Sequence, residues 1–184
     1  MQVKVLSQTT SWRDAYYSAV STQKEIDYNT FDEPSDEMKF RMLYSRHSPA
    51  KMVRYLFKVT IPNKTQNHLV RHNIGVLWFV QTLRNDLTGI DGLTVHRETP
   101  RSVIFEINAV AIFHIYSVRI CQKAEKETQQ FAELMRKSLI EFEPIFRIES
   151  LWPNPCSDCR EIAFKPCSKR KRLSTDTINK LLNK

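Results

Sequence analysis

The sequence predicts a single α+β domain followed by a basic C-terminal appendix. Segments whose apolar residues alternate, which is typical of strands, are interspersed with segments whose apolar residues recur at helical spacing. The length of 184 residues fits one domain, and the hydrophobic content of 41% is enough for a core. We therefore assign residues 1–150 to the domain and residues 151–184 to an appendix that is rich in cysteine and basic residues.

The N-terminal part of the chain alternates between strand and helix patterns. Residues 2–7 alternate and predict a strand, after which Thr10 or Ser11 can cap a helix. The acidic residues of segment 34–37 suit the positive end of a helix dipole, so a second helix is predicted from there through Leu43.

Two strands of different character are predicted in the middle of the chain. Residues 52–61 predict a strand with an apolar face and a face that carries Arg54, Lys58 and Thr60. Residues 62–63 end this strand and begin a short helix. Residues 74–83 form a continuous apolar run, which predicts a buried strand. A turn over residues 89–92 and a short strand over residues 93–96 are expected to follow.

The last part of the domain is predicted to hold a strand and one long helix. Apolar residues alternate over 102–107, and Asn108 can then cap a helix. Apolar residues continue at near-helical spacing to about Phe142, and Pro144 ends the pattern.

The charge of the chain favours anionic ligands. The formal net charge is +8 and the sequence pI is near 9.4. For the basic stretch 165–172 we expect a solvated, poorly ordered end, with a nucleic-acid contact as the alternative. No apolar run approaches the roughly 20 residues of a membrane span, and residues 1–6 lack the apolar stretch of a signal peptide. We therefore expect a cytoplasmic protein.

The cysteines of the appendix predict either a metal site or reduced thiols. Cys156 and Cys159 are spaced to hold one tetrahedral zinc ion, and Cys167 could be a third ligand. The fourth ligand would be Cys121, Asp158, another subunit or water. Free thiols are the alternative, because disulfides are rare in a reducing cytosol.

Three segments, in their order and spacing, carry a family resemblance. Residues 45–49 (Ser-Arg-His-Ser-Pro) precede a strand, and residues 68–75 (His-Leu-Val-Arg-His-Asn-Ile-Gly) contain an Arg-His pair. Residues 108–127 form a predicted helix with the internal arginine Arg119. Together they resemble the flavin-dependent thymidylate synthases. The resemblance implies a ThyX-like fold, with a mixed or antiparallel sheet and a long helix.

The resemblance also implies an activity and its cofactors. The reaction would transfer a one-carbon unit to C5 of a deoxypyrimidine monophosphate, dUMP or a relative, and give thymidylate or a hydroxymethyl product. The cofactors would be FAD, NADPH and methylenetetrahydrofolate, and the assembly a homotetramer. In this family the reduced flavin delivers hydride and the folate donates the carbon unit, so the protein contributes orientation and electrostatics.

Individual roles follow from the same resemblance. The residue implied as catalytic, near flavin and folate, is His47. The residues implied to contact the flavin are Arg71, His72, Asn73 and His114. The residues implied to contact the nucleotide are Gln81, Arg84 and Arg119.

Physical chemistry supports the two arginines at positions 71 and 119. Guanidinium groups bind phosphate through two N–H donors, so Arg71 and Arg119 are expected to converge on one anionic ligand. The family supplies a further phosphate-binding arginine from a region that is shortened in this chain, and Arg97 or Arg101 could substitute for it. The alternative for each arginine and histidine is a surface or structural role.

For Arg119 that alternative is an outward side chain paired with Glu125 or Glu127.

Two departures from the family pattern favour a second function. Asn73 stands where the family has arginine, and the apolar residues 76–79 replace a polar portion of its signature. The chain could then be a non-catalytic nucleotide sensor or a partner subunit of the same fold. A nucleic-acid-binding protein that uses the cysteines and the basic tail is the remaining alternative.

Overall fold

The computed structural model describes residues 1–82, 85–89, 96–157, 159, 165–169 and 171–177. The strands in this part of the chain are β1 (Gln2–Thr10), β2 (Arg54–Pro62), β3 (Val76–Val80) and β4 (Pro100–Asn108). The helices are α1 (Trp12–Ser21), α2 (Asp36–Tyr44), α3 (Asn63–Leu69), α4 (Asn85–Thr88), α5 (Ala109–Arg119) and α6 (Lys126–Phe142). Arg84 and most of the predicted turn and short strand over 89–96 lie outside the described residues.

The four strands form one antiparallel sheet in the order β1–β2–β4–β3. The central strands β2 and β4 pair over their full length, from Arg54 opposite Asn108 to Pro62 opposite Pro100. The predicted α+β class is therefore confirmed, with the antiparallel form of the sheet.

The core lies on the inner face of this sheet, against the helices that follow β4. Phe57 of β2 and Phe105 of β4 stack with their ring centroids 4.9 Å apart and their planes 2° apart. Phe131 of α6 packs on Phe105. Helix α6 also reaches the edge strand β1, where the backbone N–H of Val5 donates to Oγ of Ser138 at 2.8 Å. Each large side chain buried in this way contributes about 1.5–3 kcal/mol.

Side-chain caps confirm the predicted starts of three helices. Ser11 and Asp14 form a capping box at α1, in which the backbone N–H of each donates to the side chain of the other. At α2, Oγ of Ser35 accepts from the backbone N–H of Met38. At α5, Oδ1 of Asn108 accepts from the backbone N–H of Ala111 at 2.8 Å. Short polar side chains are favoured at these positions because they satisfy backbone N–H groups that have no partner within the helix.

The prediction of one helix over residues 108–142 is wrong, because the chain turns between α5 and α6. Helix α5 ends at Arg119 and α6 begins at Lys126. In the turn the backbone N–H of Ala124 donates to the carbonyl oxygen of Cys121 at 2.8 Å. A continuous helix over this stretch would be about 50 Å long, whereas a nine-residue strand spans about 30 Å. The turn lets both apolar faces pack on the same core.

None of the helices in the described part of the chain combines the length and the apolar character that crossing a bilayer requires.

The prediction of a buried strand over residues 74–83 is also wrong, because β3 lies at the edge of the sheet. Val76 is buried on the inner face, whereas Ile74, Leu77 and Phe79 are 88%, 52% and 59% exposed. The described helices cover the inner face only, so the outward side chains of the strand remain in contact with solvent. An apolar run by itself does not reveal whether both faces are covered.

The core continues into the start of the appendix. Leu151 and Trp152 are buried, and the Trp152 ring lies 5.1 Å from Phe113 and 4.8 Å from Tyr116 between centroids. Its indole N–H donates to the carbonyl oxygen of Phe146 at 2.8 Å. The division of the chain after residue 150 stays a prediction.

Arg46 fixes the same region from the other side. Its backbone has a φ of 53°, in the left-handed region that costs a non-glycine residue about 1 kcal/mol. Its guanidinium donates to the carbonyl oxygens of Leu43 and Leu151, each at 2.8 Å, and lies 3.8 Å from the centroid of the Phe113 ring. Burial lowers the pKa of Arg46. These contacts offset the backbone strain, so Arg46 is a structural residue.

Candidate functional site

Arg119, at the C-terminal end of α5, is the centre of the candidate site. Its Nε donates to Nε2 of His72 at 2.9 Å, and its Nη2 donates to the carbonyl oxygen of His68 at 2.9 Å. Both partners belong to the end of α3 and the loop after it, so the guanidinium joins segments that are distant in the chain. Among the described residues Nη1 makes no hydrogen bond, which leaves it available to a ligand.

The loop that carries His72 is held by a short series of contacts. The backbone N–H of His72 donates to the carbonyl oxygen of Leu69 at 2.9 Å, and its own carbonyl accepts from the indole N–H of Trp78 at 2.7 Å. Gly75 closes the loop with a φ of +76°, and a Cβ there would lie 2.3 Å from Nδ2 of Asn108. Only glycine fits this conformation and this approach. The loop is therefore fixed against the start of α5.

His72 is neutral at physiological pH. Burial, the positive charge of Arg119 and the neighbouring His114 together lower the pKa of His72 to about 4. Because Nε2 accepts the hydrogen bond from Arg119, the ring proton of the neutral form lies on Nδ1. His72 thus orients Arg119 without adding a charge.

The second predicted arginine contributes to the same electrostatic environment. The pKa of Arg119 is lowered by burial and by the positive charge of Arg71, and Glu125 opposes this in part. The side chain of Arg71 is exposed. Glu125 lies 3.4 Å from Nε2 of His68, and Glu127 bonds to a lysine of α3 at 2.8 Å. An anion bound beside the two arginines would relieve their mutual repulsion.

A cavity of 560 Å³ opens beside Arg119. One wall comes from α5 and the turn after it, and its polar residues are His114, Ser117, Arg119, Cys121 and Lys123. The other wall comes from the start of the appendix, with Pro153, Asn154, Pro155, Ser157 and Cys159. This volume is within the range of about 300–1,000 Å³ that is typical of small-molecule sites.

His114 joins this cavity to a second one. The second cavity has a volume of 370 Å³ and is lined by His114 together with Lys51, Ile74, Asn108 and Ala111, among others. The ring of His114 lies 6.0 Å from that of His72, in an edge-to-face arrangement. The two cavities therefore follow one exposed side of α5.

The structure brings four of the predicted site residues together: Arg71, His72, His114 and Arg119. Their roles toward a ligand stay predictions. The alternative in which Arg119 points outward to pair with an acidic residue is not what is observed, because its hydrogen bonds go to His68 and His72.

Other predicted site residues lie apart from this cluster. His47 is exposed before a short 3-10 turn, and Asn73 is exposed on the loop after α3. Gln81 follows the far end of β3, where its carbonyl oxygen accepts from the guanidinium of Arg101. Arg101 is 3% exposed and therefore cannot meet a ligand from solvent, and Arg97 is exposed in the turn before β4. The predicted roles of His47, Asn73 and Gln81 remain untested.

Several cavity residues were missed at the level of sequence. These are Ser117, Lys123, Asn154 and Ser157. No spacing rule indicates them, since they come from a helix, a turn and a distant loop. The only local signal was the pair of prolines around Asn154, which indicates a rigid segment.

The predicted zinc site is not assembled in the part of the chain that the structure describes. There, no group of three or more His, Cys, Asp or Glu residues could hold a metal ion. Cys121 and Cys159 line the larger cavity, and Asp158 lies outside the described residues. Zinc binding by Cys156, Cys159 and Cys167 stays a prediction. The described basic residues of the tail, such as Lys165 and Arg172, are exposed, and a nucleic-acid contact there also stays a prediction.

Comparison with known proteins places the fold. No protein-family model matches the chain, and no curated protein is significantly similar to it in sequence. The fold is similar to that of the UMP/dUMP methylase PolB from Streptomyces cacaoi, solved with 5-bromo-dUMP bound. The TM-score is 0.61 and the identity 16%, over 79% of this chain and 92% of that one. At this identity the similarity shows the fold: the chain has an α+β fold like that of a dUMP methylase.

Proposed function

We propose that the protein binds a deoxypyrimidine monophosphate, dUMP or a relative, in the 560 Å³ cavity beside Arg119 and transfers a one-carbon unit to C5 of its base. The observation that carries the proposal is the pairing of a dUMP-methylase-like fold with a cavity that is lined by Arg119, an arginine that the positive charge of Arg71 also reaches. As implied by the resemblance to the flavin-dependent thymidylate synthases, the reaction would use FAD, NADPH and methylenetetrahydrofolate, in a homotetramer.

The charges around the cavity support a phosphate-bearing ligand. Arg119 is oriented by two hydrogen bonds and keeps Nη1 for a further acceptor. Lys123 adds positive charge in the cavity wall, and Arg71 adds positive charge near Arg119. A guanidinium that is already oriented loses little conformational entropy when it binds phosphate. Neutral His72 holds Arg119 without attracting the phosphate itself.

The residues proposed to hold the flavin fit that role in part. Arg71 and Asn73 are exposed and can donate hydrogen bonds to phosphate or ring oxygens. His72 has used Nε2 for Arg119, so it could offer only the Nδ1 proton, and His114 lies between the two cavities. A bound reduced flavin would supply the hydride. The protein residues would orient the two ligands and exclude water.

Calorimetric titration with dUMP tests the nucleotide site. We expect wild-type protein to bind dUMP and Arg119→Gln to weaken binding about 10–100-fold, because a charge-assisted hydrogen bond is lost. The matched control is Arg147→Gln, which removes the same charge from an exposed residue after α6. Wild-type protein that does not bind dUMP, or an equal loss in both variants, would contradict the proposal.

A second candidate function is a catalytically degenerate nucleotide-binding or partner subunit. The exposed Ile74, Leu77 and Phe79 favour it, because they lie within or beside the apolar segment 76–79, which replaces a polar portion of the family signature. Flavin uptake separates the two functions. Protein that stays yellow after unbound FAD is removed, and forms a C5-substituted nucleotide with NADPH and methylenetetrahydrofolate, supports the enzyme. Protein that binds dUMP but takes up no flavin supports the second candidate.

A further inference from the structure

We infer that Asn154 is a specificity-determining residue of the larger cavity, where its side-chain amino group donates a hydrogen bond to an acceptor oxygen of the ligand. The inference rests on the proposed function for the identity of that ligand. It assigns part of the site to the appendix, which the sequence resemblance leaves without a role in ligand binding.

The segment that carries Asn154 is anchored in the core immediately before it. Trp152 is 7% exposed and donates its indole N–H to the carbonyl oxygen of Phe146 at 2.8 Å. Arg46 donates to the carbonyl oxygen of Leu151 at 2.8 Å. A rigid loop against a packed core is the arrangement that positions a binding group with little entropy loss.

The loop itself is stiffened at every residue around Asn154. Pro153 and Pro155 restrict the backbone on both sides. The backbone N–H of Cys156 donates to Oδ1 of Asn154 at 2.9 Å, and the N–H and hydroxyl of Ser157 donate to its carbonyl oxygen at 3.1 Å and 2.8 Å. The hydrogen bond that Oδ1 accepts from Cys156 thus fixes the orientation of the Asn154 side chain.

This arrangement determines which group Asn154 can offer. Since Oδ1 is the acceptor for Cys156, the group left for a ligand is the Nδ2 amino group, which has two N–H donors. Across the cavity, Arg119 and Lys123 supply positive charge. A ligand with a phosphate and with carbonyl oxygens on its ring matches both walls. A hydrogen bond from Nδ2 to the ring would select the pyrimidine base. A hydrogen bond from Nδ2 to the phosphate would add affinity without selecting the base.

Two substitutions test the donor while keeping the loop. Asn154→Asp keeps the oxygen that accepts from Cys156 and removes the donor. Asn154→Ser removes both N–H donors of Nδ2 without adding charge and leaves only a hydroxyl on a shorter side chain. The matched control for the added charge is Asn29→Asp, at an exposed position between α1 and α2. Titrations use dUMP and deoxyribose 5-phosphate, which lacks the base. Thermal unfolding verifies that each variant is folded.

We expect both Asn154 variants to bind dUMP about five- to tenfold more weakly, while Asn29→Asp binds normally. If deoxyribose 5-phosphate binding is unchanged, Asn154 donates to the base. If it falls equally, Asn154 donates to the phosphate, which overturns its assignment as a specificity-determining residue. Wild-type affinity in both folded Asn154 variants, alongside weakened binding in Arg119→Gln, overturns this inference and leaves the proposed function standing. Wild-type protein that does not bind dUMP overturns both.

Discussion

Two half-buried arginines, Arg46 packed on helix α5 and Arg119 at its C-terminal end, use the same kind of side chain in different ways. Arg46 gives its guanidinium to two backbone carbonyls and the face of Phe113, and it lines neither cavity. Arg119 is also held by two hydrogen bonds, but it borders open space and is repelled by Arg71. Burial lowers the pKa of both. Burial and pKa therefore do not separate the structural Arg46 from Arg119, which we propose binds the ligand, whereas a neighbouring cavity and a second like charge do.

The largest expected effect on stability is that of Arg46→Met. The substitution removes the donors to Leu43 and Leu151, so we expect the free energy of unfolding to fall by about 2–3 kcal/mol. Arg41→Met is the control, because its exposed pair with Glu37 contributes about 0.5 kcal/mol or less. Denaturant titration measures both. Folded Arg46→Met protein that has lost dUMP binding would erase the distinction between the two arginines.

Arg119→Gln should show the opposite pattern. We expect a loss of about 1 kcal/mol in the free energy of unfolding, because its two hydrogen bonds are partly solvated, but a much larger loss in dUMP affinity. Denaturant titration beside calorimetry makes the comparison. A stability loss as large as that of Arg46→Met, with binding retained, would make Arg119 structural as well.

The neutral His72 predicts a pH dependence of stability. Its pKa is about 4 in the folded protein, below the usual 6.5, so between these values the unfolded chain takes up the proton first. The stability that neutral His72 provides is complete above pH 6.5 and is lost as the pH falls toward 4. We expect a loss on the order of 1 kcal/mol after solvent screening.

Unfolding titrations across this pH range, with His72→Gln and the exposed control His47→Gln, measure that contribution. His72→Gln should flatten the profile, and His47→Gln should leave it unchanged. An NMR titration of His72 should give a higher pKa in Arg119→Gln, because the neighbouring positive charge is gone. The same profile in wild type and His72→Gln would refute the assignment.

The smallest expected effect is protection of two thiols by the ligand. Cys121 and Cys159 line the larger cavity, whereas Cys167 does not. Saturating dUMP should slow alkylation of the first two by a few-fold and leave Cys167 as the reference. Peptide mass spectrometry resolves each site. Equal rates with and without dUMP at all three thiols would place the nucleotide elsewhere.

Local sequence patterns predicted much of the fold, because strand alternation and helix capping depend on residues that are neighbours in the chain. Alternation over 52–61 predicted β2, and the capping side chains Ser11 and Asn108 together with the acidic segment 34–37 marked where helices begin. The site was predicted in part, since the resemblance singled out His72 and Arg119. The resemblance could not indicate Lys123, which lies in the turn after α5, or Asn154, which lies in the loop after Trp152, because only the fold brings these segments to the cavity.

By itself the sequence determined the element types, the α+β class and the basic character that favours an anionic ligand. Only the tertiary structure decided that residues 108–142 fold as two helices, that β3 is an exposed edge, and that Arg46 is structural. The physical reason is the distance along the chain over which each kind of interaction acts. Periodicity and capping act over a few residues, whereas the covering of an apolar face, the contact of His72 with Arg119 and the convergence of Arg119 and Asn154 on one cavity depend on contacts between distant parts of the chain.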